Sequence, residues 1–127
     1  MNVVDTSAIL AVLFDEPERA ALEPRLMTEP CVMSAATRVE LGMVVEAKKG
    51  PGGTQLLEEL LTRIGVAVAP VDDPQVHEAL VGWRRFGKGR HQAGLNYGDT
   101  FSYALARTLG QPLLFVGNDF SQTDLST

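Results

Sequence analysis

The sequence predicts an α/β fold, with a short, mostly parallel four-stranded sheet flanked by helices. Three observations lead there: short apolar runs rich in β-branched residues, longer segments of helical period, and alternation of the two along the chain. With 127 residues, 45% of them apolar, the chain can build one core without staples, and a single domain over 1–127 is expected.

Residues 2–4 open as a strand, and 7–14 and 17–26 read as short helices. Pro17 stands in the first turn of the second, and Glu18 lies where the helix dipole favours an anion. Residues 31–33 form the next strand and Ser34 caps a helix over 36–49. That helix ends in Lys48 and Lys49 followed by Gly50-Pro51-Gly52-Gly53, cations at the negative end and then breakers. A leucine-rich helix over 54–64 precedes a strand at 66–69. Its apolar side, with that of residues 17–27, offers more leucine surface than four short strands need, as a partner groove would. Asp73-Pro74 opens a helix to Phe86, and 87–94 is a glycine-rich surface loop. A helix over 97–109, a strand at 113–116 and a short terminal turn from Asp119 complete the order. All four strands read as buried, and Met27, Met33 and Met43 as core filler.

Composition narrows the chemistry. Cys31 has no internal disulfide partner, and with only His77 and His91 it cannot complete a four-ligand zinc site. No apolar run approaches the roughly 18 residues of a membrane span and no basic leader precedes one, so no membrane partner and a cytoplasmic location are expected. Sixteen acidic against 11 basic residues give a net charge of −5, unlike a protein that binds nucleic acid through overall basicity. Yet Arg84, Arg85, Lys88 and Arg90 fall within seven positions, a local basic patch beside Trp83 and Phe86.

Four acids occupy unusual places. Asp5 follows the apolar Val3-Val4 directly. Glu40 sits on the packed side of its helix or at its margin, with Ala36, Met43 and Val44 as helical neighbours. Asp99 lies in the first turn of a helix, and Asp119 follows an apolar strand after a Gly-Asn break. Asp5, Asp99 and Asp119 could each be a helix cap or first-turn acid, and Glu40 a solvated one. In right-handed strand–helix–strand units, however, strands end and crossover helices begin at one edge of the sheet, so all four would converge there. Carboxylates crowded together need a cation, and an all-oxygen set suits Mg²⁺ or Mn²⁺. Such a site hydrolyses phosphate esters with a metal-activated water.

The segments Val3-Val4-Asp5-Thr6-Ser7, Arg38-Val39-Glu40-Leu41, Gly98-Asp99-Thr100-Phe101-Ser102-Tyr103-Ala104-Leu105-Ala106 and Leu114-Phe115-Val116-Gly117-Asn118-Asp119-Phe120 resemble, in order and spacing, the four acidic motifs of PIN-domain nucleases, above all VapC-type toxins. The resemblance covers nearly the whole chain. It implies a PIN-like fold and an Mg²⁺-dependent endoribonuclease, with Asp5 and Asp99 as direct ligands and Glu40 and Asp119 completing the acidic cluster. Thr6 and Ser7 are the supporting hydroxyls. Gly117 stands where many relatives carry threonine, so Asp124 or Asn118 remains open as a sharer of the role of Asp119. The resemblance further implies an RNA substrate held by Arg84, Arg85, Lys88 and Arg90, a VapB-like antitoxin over the acidic cleft, and a homodimer.

Other readings predict different residues. A phosphatase using Asp5 as nucleophile wants a second Asp where Ser7 stands, and a phosphoryl receiver wants a lysine near the last strand, where none occurs. A catalytically silent PIN-like module would have lost acids that this chain keeps. An RNA-processing nuclease without a toxin role shares the same site and differs only in partner.

Overall fold

Side chains alternate across a strand, and here the alternation sorts them between two cores. Val4, Cys31, Met33 and Leu114 point to one face of the sheet, where α1, α2 and α3 cover them. Val3, Val32 and Leu113 point to the other, packing with Phe86, Tyr103, Leu105 and Phe120. The computed structural model describes residues 1–125. Its order is β1 (Asn2–Val4), α1 (Thr6–Leu13), α2 (Arg19–Thr28), β2 (Cys31–Ser34), α3 (Ala35–Ile64), β3 (Ala67–Ala69), α4 (Asp73–Phe86), α5 (Tyr97–Leu109), β4 (Leu113–Leu114) and a 3₁₀ turn (Phe120–Gln122).

The sheet order is β3-β2-β1-β4, and every neighbouring pair is parallel. Val3 pairs with both Val32 and Leu113, so β1 is central and apolar on both faces, as helices on both sides of a parallel sheet require. The four-stranded α/β architecture expected from the sequence is therefore present. β3 departs from expectation: it is an edge strand with Ala67 and Val68 exposed, because no second neighbour closes over it.

The expected break between two helices is a kink within α3. Only Gly50 leaves helical geometry, at φ 68° and ψ −165°, a region that a side chain would disfavour. Pro51 then starts the second segment, where its missing N–H costs nothing, and Gly52 and Gly53 wind on as helix. Gly53 is buried, and a β-carbon there would collide with Lys49 across the kink. The leucine surface read as a partner groove is mostly core: Leu22, Leu26, Leu57, Leu60 and Leu61 are buried, and Leu56 and Met27 stay exposed. Of the methionines expected as filler, Met33 is fully buried, whereas Met43 faces water.

On the second face, α4 and α5 approach closely at Gly82, where a β-carbon would stand 2.5 Å from Cδ1 of the fully buried Tyr103. Gly82→Ala is expected to lower stability by about 1–3 kcal/mol through overpacking, measured as a fall in the urea midpoint with an unchanged slope.

Candidate active site

Asp5 leaves the carboxyl end of β1 in extended geometry, and its side chain caps α1: Oδ2 accepts the Ser7 N–H at 3.1 Å and the Ser7 hydroxyl at 2.7 Å. Its other oxygen, Oδ1, accepts the buried Ser102 hydroxyl of α5 at 2.6 Å. With that proton committed, the buried Thr37 hydroxyl of α3 can donate onward to Ser102 at 3.4 Å. Ser7 Oγ also accepts the Val116 N–H at 3.0 Å, tying the start of α1 to the chain leaving β4. Asp5 is thus a buried carboxylate held by donors on both oxygens. The cap reading therefore applies to it.

Glu40 lies in the second turn of α3, partly buried, and Oε1 accepts the Thr6 hydroxyl at 2.8 Å. Its other oxygen rests against Gly98, where a β-carbon would land on Oε2. Glycine before Asp99 is therefore what lets the first turn of α5 approach the Glu40 carboxylate.

Asp99 and Asn96 form a reciprocal capping box at the start of α5. Asp99 Oδ2 accepts the Asn96 N–H at 3.0 Å and Asn96 Oδ1 accepts the Asp99 N–H at 2.9 Å. Burial raises the Asp99 carboxyl, its Asn96 hydrogen bond pulls it back, and the charges of Asp5, Asp119 and Glu40 push it up again, to about 6. All three other acids therefore act on Asp99 across the same rim.

Asp119 is exposed, and it does not cap the 3₁₀ turn behind it. Asp124 lies elsewhere: it pairs with Arg85 at 3.1 Å and Arg107 at 3.7 Å and accepts the Tyr103 hydroxyl at 2.8 Å. Burial pushes the Asp124 carboxyl up, but the Tyr103 hydrogen bond and the charges of Arg107 and Arg85 together outweigh it and hold the carboxyl below its ordinary range. The Asp124 charge is thus matched by two guanidinium groups beside the later turns of α5.

The basic segment divides. Arg84 is exposed, and Arg90 stacks on the Trp83 ring at 4.5 Å and donates to the Arg84 carbonyl. Arg85 is engaged by Asp124 and lies over Phe86, which is core. Lys88 lines an apolar groove of about 930 Å³ together with Val39, Leu80, Trp83 and Tyr97, at the mouth of α5. His77 is exposed, and His91 accepts from Ala93 N–H and packs edge-on against Phe86.

Among the described residues no three acidic, histidine or cysteine side chains close on one point. The four carboxylates share a field without touching. They are nevertheless a fit for a hard divalent cation: every donor is an oxygen, and a cation would favour the ionised form of Asp99, which burial and then the other three charges disfavour. Ser102, Thr37 and Gly98 were not singled out by sequence reasoning. The available signal was a serine three residues after Asp99 on an apolar helix face, and a glycine directly before it.

A family profile described as PIN domain matches residues 3–125. Ribonuclease VapC of Mycolicibacterium smegmatis is 48% identical over 125 residues, spanning 98% of this chain and 97% of its own. Ribonuclease VapC30 of Mycobacterium tuberculosis is 45% identical over 126 residues, spanning 98% and 96%. The crystal structure of Mycobacterium tuberculosis VapC20, a Sarcin-Ricin loop cleaving toxin, superposes with a TM-score of 0.78 at 18% identity, covering 99% of this chain and 97% of that one, a likeness of fold.

Because the Asp99 carboxyl titrates near 6 when folded against an ordinary 3.8, the folded chain holds a proton in that window that the unfolded chain has lost. Stability from this group therefore falls as pH rises through the window, and its cost is fully present above it. In EDTA, Asp99→Asn is expected to be more stable than wild type at about pH 7, with the difference fading towards about pH 4. Urea denaturation of both chains at the two pH values checks it.

Proposed function

The chain belongs to the PIN-domain family and, within it, to the VapC ribonucleases, and on that premise we propose a single-domain, Mg²⁺-dependent endoribonuclease whose site is Asp5, Glu40, Asp99 and Asp119. It is the toxin of a VapBC-type toxin–antitoxin pair, with RNA as substrate. The observation that carries the site assignment is the raised Asp99 carboxyl, which burial and three other carboxylates perturb at one rim.

Asp5 and Asp99 are the proposed direct ligands. Asp5 is the better ordered, since Ser7 and Ser102 fix its plane while Oδ1, with one donor, keeps a lone pair. Thr6 orients Glu40, which with Asp119 completes the cluster. When bound, Mg²⁺ would supply Lewis acidity for phosphodiester hydrolysis, with Mn²⁺ as a substitute. The carboxylates repel RNA phosphates, so phosphate contacts come from the rim, from Arg84, Lys88 and Arg90, with Arg85 shared with Asp124.

Two protein contacts accompany this reading. A VapB-like antitoxin covers the acidic cleft, and an arginine suits it because a guanidinium meets carboxylates in a fork. A homodimer is supported by the large apolar side chains left in water around one groove: Val39 is 60% exposed and Tyr97 81%, with Val76, Leu80 and Trp83 beside them.

The chain, freed of antitoxin, is expected to cut structured or unstructured RNA with Mg²⁺ and to be silent in EDTA. Asp5→Asn and Asp99→Asn are each expected to slow cleavage by about a hundredfold or more. Wild-type rates in either variant, or cleavage in EDTA, would refute the site.

A further inference from the structure

Asp119 stands on the least supported part of the acidic rim. β4 ends at Leu114, and beyond it the chain is tied by the Val116 N–H to Ser7 and then turns at Gly117 with φ 102°. Asp119 follows, exposed and without a side-chain cap bond to the turn it precedes. Where its carboxylate points is therefore set by what holds the backbone on either side.

The downstream hold has two parts. Phe120 is buried and packs edge-on against Phe115 at 5.2 Å, which fixes one point of the turn. The second point is Asp124. Its Oδ2 faces Arg85 of α4 and Arg107 of α5, and its Oδ1 accepts the hydroxyl of Tyr103 of α5. Tyr103 is itself fully buried, so this hydroxyl has a fixed origin. Burial and the Asp124 contact hold the phenol at about 12, so it remains a donor across the physiological range. The segment from 119 to 125 thus runs along α5 from the acidic rim to its later turns and is pinned at the far end by two donors, Arg85 and Tyr103, and by the ion pair with Arg107. Among the described residues, Arg107 has Asp124 as its ion-pair partner, and so has Arg85.

We propose that Asp124 is a positioning residue for Asp119: by clasping Arg85, Tyr103 and Arg107 it fixes the terminal segment so that Asp119 stays beside Asp99, Asp5 and Glu40. This rests on the reading of Asp119 as the fourth acid of the site. An acid five residues along thereby contributes to the site without facing the metal, and its charge is consumed by the clasp.

The test is a double-mutant cycle on the full chain, following cleavage of a synthetic RNA across a Mg²⁺ titration, with Asp119→Ala, Asp124→Ala and the double variant. Asp124→Ala is expected to lower kcat about tenfold and to raise the Mg²⁺ concentration for half-maximal cleavage, with KM for RNA unchanged. In the Asp119→Ala background, removing Asp124 is expected to cost nothing more. Arg107→Ala, which leaves the carboxylate and the phenol in place, is expected to shift the Mg²⁺ dependence in the same direction by less, and carries the test if Asp124→Ala does not fold. Additive losses, or a wild-type Mg²⁺ dependence in the folded variants, would overturn the clasp while leaving Asp119 in the site. A wild-type rate for Asp119→Ala would overturn the fourth-acid reading, and the clasp with it.

Discussion

The field of Asp5, Asp119 and Glu40 on the partly buried Asp99, carboxylates brought to one edge of a small sheet, is the constraint that the surrounding structure answers. Left to themselves such groups would spread into water or take up protons. Here each of the inner three is held by a neutral donor that orients it without cancelling its charge: Ser7 and Ser102 on Asp5, Thr6 on Glu40, the Asn96 backbone on Asp99. Hydroxyls and amides suit this task because a lysine or arginine in their place would neutralise the field that a cation must find. Asp99 is raised first by burial and then by the charges of Asp5, Asp119 and Glu40.

The fold makes this possible by bringing distant segments to one edge. Parallel strands end together, so Asp5 after β1 and the chain leaving β4 are neighbours despite the length of sequence between them, and the Ser7–Val116 hydrogen bond ties them directly. α3 and α5 then start at the same edge and close on each other through Gly98 and Glu40 and, one layer deeper, through Thr37 and Ser102. Those buried hydroxyls are satisfied within the chain, and no buried side-chain polar atom among the described residues lacks a partner. The site is thus built into the core on its inner side and left open on its outer side, where Asp119 sits. Support thus falls off from the doubly held Asp5 to the bare Asp119.

Much of this was legible in the sequence because period and position carry physical information. Asn2–Val4 and Tyr97–Leu109 emerged with the expected bounds, the first from a β-branched run and the second from a segment of helical period. Asp5, Glu40 and Asp99 stood out as acids beside apolar surface, and the structure gives each a partner at that rim. The Gly50-Pro51-Gly52-Gly53 run was read too strongly: one glycine suffices for the kink, and proline at a helix start is no breaker. Met43 and the exposed β3 were misjudged because a side chain's exposure at a sheet edge or helix margin depends on neighbours that local period does not specify. Ser102 and the Asp124 clasp were illegible for a related reason. Each acts through a partner tens of residues away, and a serine or an aspartate carries no mark of that in its own neighbourhood.

The most direct measurement is a carboxyl-carbon NMR titration of Asp99 in the metal-free chain and again in saturating Mg²⁺. Asp99 is expected to titrate near 6 without the ion, where burial and then the other acids raise it, and well below that when the ion is present, since a bound cation favours the charged carboxylate. A metal-free titration at the ordinary value of 3.8, or a midpoint that Mg²⁺ does not move, would contradict a shared acidic site.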